Sequence, residues 1–86
     1  MRNSIDRESL RTLVADAIDI DVSELTDTAD FRDDLEVDSL MSLEMMVVLE
    51  QEFGVKIGQD EMKPVRTFDD LIDVLDRALE AKSASD

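Results

Sequence analysis

Two glycines and one proline in 86 residues leave this chain few places to interrupt a regular element. With no Trp, no Tyr and three Phe it also lacks the aromatic content that strands favour. Such a chain folds into helices, and its apolar residues recur at helical spacing. Leu10, Leu13, Val14, Ala17 and Ile18 make one face of a first helix, expected from Asn3 or Ser4 to about Ile18. A second runs from Ser39 to about Phe53, where Gly54 provides a left-handed stop. Val55, Lys56 and Ile57 are expected to be extended, and Gln59 to Lys63 to make a single helical turn ended by Pro64. Thr67 caps a last helix with Asp69 and Asp70 in its first turn and Phe68, Leu71, Ile72, Leu75 and Leu79 as its buried stripe. The expected fold is all-α, a four-helix bundle of three main helices and one short one with a long first loop. That loop, about twenty residues from Asp19 to Asp38, must be tied down or functional. Val22, Leu25, Phe31 and Leu35 are its expected anchors, and Ser23, Glu24 and Leu25 a short turn. Residues 1–81 form one domain, and Lys82 to Asp86 reads as a disordered tail.

Composition excludes several classes of function. Without cysteine there are no disulfides or thiolate metal sites, and without histidine a zinc site would have to be all carboxylate. No metal site is expected. Asp19, Asp21 and Ser23 have the first ligand spacings of a calcium loop, but Glu24 stands where that loop needs Gly and Asp30 where it needs a bidentate Glu. No apolar run reaches the ~20 residues of a membrane span, and Met1 to Asp6 has no signal-peptide core, so the cytoplasm is the expected compartment. The net charge is −14. Nucleic acid and anionic membranes are repelled by such a chain, and a basic protein surface is attracted. Charge that serves only solubility is the plainer reading.

Ser39 concentrates the chemistry. Asp38 is a good N-cap, which puts Ser39 at the first helical position beside unpaired N–H groups and the positive end of the dipole. That is a favourable place to hold a phosphate. No His or Cys is present to activate the hydroxyl, so Ser39 looks like an acceptor of a modification, not a nucleophilic catalyst. The helix that follows has two apolar sides. At about 100° per residue, Met45, Met46, Leu49 and Phe53 gather with Ser42 on a side suited to the core. Leu40, Leu43 and Val47 gather nearly opposite, among Glu44, Glu50 and Gln51, and Met41 lies between. Either the helix is buried on both sides, or the second stripe docks a basic partner.

These residues resemble the acyl carrier proteins. The likeness rests on Asp38-Ser39-Leu40 at the head of an acidic helix, on Leu49-Glu50-Gln51-Glu52-Phe53, on Ile57 before an acidic turn and on Thr67 opening the last helix, over about residues 5–80. It implies a right-handed four-helix bundle with a long first loop. It also implies a 4′-phosphopantetheine joined through a phosphodiester to Ser39, with Asp38 as the helix cap beside it. The thiol of that arm would hold acyl groups as thioesters, which supplies sulfur chemistry to a chain without cysteine. The implied docking surface is Leu40, Met41, Leu43, Glu44, Val47 and Glu50. The implied partners are a phosphopantetheinyl transferase, ketosynthase, acyltransferase and other synthase enzymes with basic patches, and the implied state is a monomer. Met41, Gln51 and Val37 depart from many fatty-acid carriers, and the stretch Asp38 to Glu44 looks more like polyketide carriers. A Met-initiated chain of this length looks like a stand-alone carrier serving separate enzymes. A fatty-acid carrier, a peptidyl or aminoacyl carrier and an unmodified helical interaction protein are the alternatives. Glu36-Val37-Asp38 does not fit the Gly-Gly pattern of the peptidyl carriers.

Overall fold

The computed structural model describes residues 6–85, with side chains as far as residue 82. Among the described residues it contains no strand. The elements are α1 (Arg7–Ala17), a 3-10 turn (Val22–Glu24), α2 (Ser39–Phe53), α3 (Gln59–Met62) and α4 (Phe68–Ser85). This is the expected bundle of three main helices and one short one.

Helix boundaries follow local capping chemistry. Residues 3 and 4, where the sequence places the start of the first helix, lie outside the described residues. Asp6 is extended, and its carboxylate accepts from the N–H groups of Glu8 and Ser9, so the helix begins at Arg7. Those bonds and the Ser9 hydroxyl hold the Asp6 carboxyl below its usual range, the hydroxyl contributing most. Gly54 at φ 64° ends α2 in the left-handed region, its N–H reaching the Glu50 carbonyl. The Glu61 carboxylate accepts from the Gly58 N–H at 3.1 Å to open α3. At α4 the Thr67 hydroxyl accepts from the Asp70 N–H at 3.2 Å, and Asp70 Oδ2 accepts from the Thr67 N–H at 3.3 Å. That reciprocal pair is a capping box. The C-terminal end needs correction: α4 continues through Ser85, past Lys82 where the sequence suggested a disordered tail. Ala81, Lys82 and Ala84 carry no helix-breaking feature, so the helix has no local reason to stop.

One core joins all the long elements. It contains Leu10, Val14 and Ala15 of α1, Met45, Met46 and Leu49 of α2, and Phe68, Leu71, Val74, Leu75 and Leu79 of α4. The sequence missed Ala15 and Val74, and Ile72 packs only at the margin. The long loop contributes Leu25, Phe31 and Val37. Val22, expected as an anchor, is exposed, because it sits in the 3-10 turn whose residues all face outward. Val37 takes the anchoring role in its place.

The loop is held by arginines, Arg7 pairing with Asp27 at 3.1 Å. Arg11 donates to the Leu25 carbonyl and to Asp27 Oδ1, and its guanidinium stacks 4.6 Å from the Phe68 ring centre. Arg66 reaches Asp30 at 2.8 Å and Asp33 at 3.4 Å. Its carbonyl also accepts from the Phe31 N–H at 2.7 Å, so the loop is pinned to the segment before α4.

Candidate functional site

The loop delivers the start of α2 to the surface in a fixed pose. Asp30 Oδ1 accepts from the N–H groups of Arg32 and Asp33 at 2.8 and 2.9 Å, and Asp34 Oδ2 accepts from the Asp30 N–H at 2.8 Å. Hydrogen bonding from the Asp33 N–H, then from Arg66, holds the Asp30 carboxyl below its usual range. Glu36 turns the chain at φ 56°, a left-handed backbone that costs energy in a residue with a side chain. Val37 then buries its side chain while its N–H donates to the Phe31 carbonyl at 2.7 Å. With Val37 pinned inward, Asp38 and Ser39 emerge at the surface.

Asp38 caps α2 as its residue type suggests: it is extended, and Oδ1 accepts from the Met41 N–H at 2.9 Å. Ser39 is the first helical residue and is exposed. It opens onto a cleft of about 470 Å³ between the first turns of α2 and α3. Two cations, Arg32 and Lys63, line that cleft with Ser39. Leu43, Met46 and Met62 form its apolar part, and Ser42 and Gln59 add polar groups. Ser42 therefore belongs to this cleft as well as to the inner side of α2, where its spacing had placed it. A covalent arm with a phosphate at its root and a mixed polar and aliphatic stem fits such a site, whose volume lies in the ~300–1,000 Å³ range of ligand sites.

The outer side of α2 is apolar and open. Leu40 is 65% exposed, Leu43 41% and Val47 40%, while Leu49 on the opposite side is fully buried. Burial on both sides is thereby excluded. Glu44 stands exposed on the same outer side, and Met41 is half-buried, packed against the core edge. Glu50, expected on the docking surface, has a second role within the fold. It is half-buried, and its Oε2 accepts from the Ile57 N–H at 2.8 Å, tying the segment after Gly54 back onto α2. A helical wheel gives the angle of Glu50 but not the chain that returns across it. The cleft residues Arg32, Gln59, Met62 and Lys63 escaped the sequence reading. The one signal available was Arg32 itself, a lone cation in the acidic run from Asp30 to Asp38.

Residues 8–75 match the family described as phosphopantetheine attachment site. The chain is 47% identical over 72 residues to polyketide-8 synthase acyl carrier protein 2 of Streptomyces avermitilis, covering 84% of this chain and 83% of that one. It is 35% identical over 74 residues to an acyl carrier protein of Thermosynechococcus vestitus, covering 86% and 91%. An acyl carrier protein of Rubrobacter xylanophilus is 37% identical over 66 residues, covering 77% and 82%. An exposed serine at a capped helix start, a cleft suited to a phosphate-bearing arm and these likenesses agree. The chain belongs to the acyl carrier protein family: it is a carrier, not an enzyme, and works through a covalent 4′-phosphopantetheine.

Proposed function

We propose that Ser39 carries the 4′-phosphopantetheine and that the chain presents polyketide intermediates to separate synthase enzymes. The observation that carries this reading is the position of Ser39: exposed, first in α2, beside the Asp38 cap and at the mouth of the cleft. The bound arm supplies the thiol on which acyl groups ride as thioesters. The chain's own residues position it. Asp38 fixes the helix start, and Val37 turns the serine outward. Leu40, Leu43 and Val47 give a partner an apolar contact, with Glu44 orienting its basic rim. The partners on this reading are the phosphopantetheinyl transferase and a ketosynthase and acyltransferase with basic patches. The carrier is a cytoplasmic monomer that binds no nucleic acid. The name of the streptomycete relative supports polyketide over fatty-acid assembly.

The test is a mass measurement after incubation with coenzyme A and a phosphopantetheinyl transferase. The wild-type chain gains one arm. Ser39→Ala keeps its helical circular dichroism and gains nothing. A normal gain in that variant moves the attachment elsewhere, and no gain in the wild type leaves an unmodified interaction protein.

A further inference from the structure

We infer that Arg32 and Lys63 clamp the phosphodiester at the root of the arm. The inference rests on Ser39 being the attachment residue. A chain of net charge −14 has nine basic residues, yet two of them line a cleft onto which Ser39 opens. A phosphodiester on Ser39 adds another negative charge there, and the surrounding acids repel it unless cations lie close.

Arg32 is preset for that task. The carboxylates nearest to it in the chain are engaged elsewhere: Asp30 and Asp33 face Arg66, and Asp34 holds the Asp30 N–H. Among the described residues no ion pair forms on the Arg32 guanidinium, whereas Arg7, Arg11 and Arg66 are each paired. Its backbone N–H is fixed by Asp30 Oδ1 at 2.8 Å, so the side chain starts from a rigid turn. A guanidinium can take two phosphate oxygens at once. Lys63 lies just beyond α3, where among the described residues it pairs with Asp60 alone, at 3.4 Å, the two side chains being 76% and 94% exposed. A pair so open to water is worth little and exchanges readily for a phosphate. Beyond the cations, Met46 and Met62 offer an apolar floor to the dimethyl part of the arm, and Ser42 and Gln59 offer hydrogen bonds to its amides.

A monoanion in this cleft has a second conceivable source, the free carboxylate of a malonyl-type acyl group at the far end of the arm. Three species separate the sources: the apo chain, the holo chain and the malonyl-loaded chain, each checked by mass. The readouts are the phosphorus resonance of the arm and the Nε–Hε signal of Arg32 with its rate of exchange with water. The phosphodiester clamp gives a shifted Arg32 signal and several-fold slower exchange in the holo chain, with little further change on malonyl loading. Arg32→Ala shifts the phosphorus resonance, Arg32→Ala with Lys63→Ala shifts it further, and Arg32→Lys restores part of the effect. A response of Arg32 only in the malonyl-loaded chain overturns the phosphodiester as occupant. Full loading with no change in either readout overturns the clamp and leaves Ser39 standing. Absence of loading removes both readings together. The apo–holo comparison in the wild type decides the matter even if a variant loses its helical circular dichroism.

Discussion

Val47 and Leu49 lie two residues apart on α2 in opposite surroundings. Leu49 is fully buried in the core, and Val47 is 40% exposed. Truncating a buried Leu removes transfer energy and leaves a cavity, at about 2–5 kcal/mol. Small domains of this kind have about 5–15 kcal/mol in all, so Leu49→Ala is expected to lower the melting temperature sharply. Val47→Ala opens no enclosed cavity and is expected to stay within about 0.5–1 kcal/mol, while slowing loading by the transferase. Thermal denaturation and loading kinetics on both variants check this. Equal destabilisation with unchanged loading would remove Val47 from the docking surface. Glu50 shows what spacing alone leaves out: its position puts it beside Leu43, and its Oε2 also accepts from the Ile57 N–H.

At the scale of elements, the long first loop matters most, because it sets where Ser39 emerges. Two of its arginine ties, those of Arg11 and Arg66, are unequal. The Arg11 side chain is 12% exposed, stacked on Phe68 and bonded to both a carbonyl and Asp27, whereas the Arg66 side chain is 60% exposed. Exposed ion pairs are worth about 0–1 kcal/mol. Arg66→Ala is therefore expected to leave global stability nearly unchanged but to speed amide exchange locally at Arg32, Asp33 and Val37. Arg11→Ala is expected to cost more and to loosen the loop together with the α1–α4 contact. Hydrogen exchange followed residue by residue checks this; uniform acceleration in Arg66→Ala would show that the loop has no stability of its own to lose. The same contrast explains what the sequence reveals. Helix α2 was legible to the residue, because Asp38 and Gly54 are local signals that need no tertiary partner. The start of α1 was not, because Asn3, Ser4 and Asp6 can all cap and the choice is not written in any one of them. In the loop no period exists to say that Val37 is buried and Val22 is not, since that depends on which way Glu36 turns the chain. The serine and the apolar stripe could be read from one helix. The cleft could not, because Arg32 and Lys63 meet Ser39 only after the bundle closes.

The whole molecule responds to pH through two opposed effects. A net charge of −14 makes the compact state repel itself, and the charge shrinks as pH falls toward the isoelectric point of about 4.1. Acidification from pH 7 therefore first stabilises the fold. Against this stand carboxyls whose folded state favours the charged form. Asp27 is held below its usual range by hydrogen bonds from Arg11 and then Arg7, and Asp30 by the Asp33 N–H and then Arg66. Asp6 and Asp21 are lowered by hydrogen bonds from Ser9 and Ser23 respectively. A carboxyl lowered on folding contributes stability that is fully present above its unfolded value, about 3.9 for Asp. That contribution is lost as pH falls through the lower folded value. The melting temperature is thus expected to rise from pH 7 to about pH 5 and to fall steeply below about pH 4. Salt separates the branches. At about 1 M the screening length is about 3 Å, so the rise between pH 7 and 5 should flatten, the value at pH 7 having already increased. The acid fall should persist, because hydrogen bonds at contact distance are screened least. Melting curves at low and high salt across this range test both branches. A melting temperature at pH 7 indifferent to salt would show that the acids are already dispersed enough not to strain the fold, and an acid branch that vanished with salt would remove Asp27 and Asp30 as its cause.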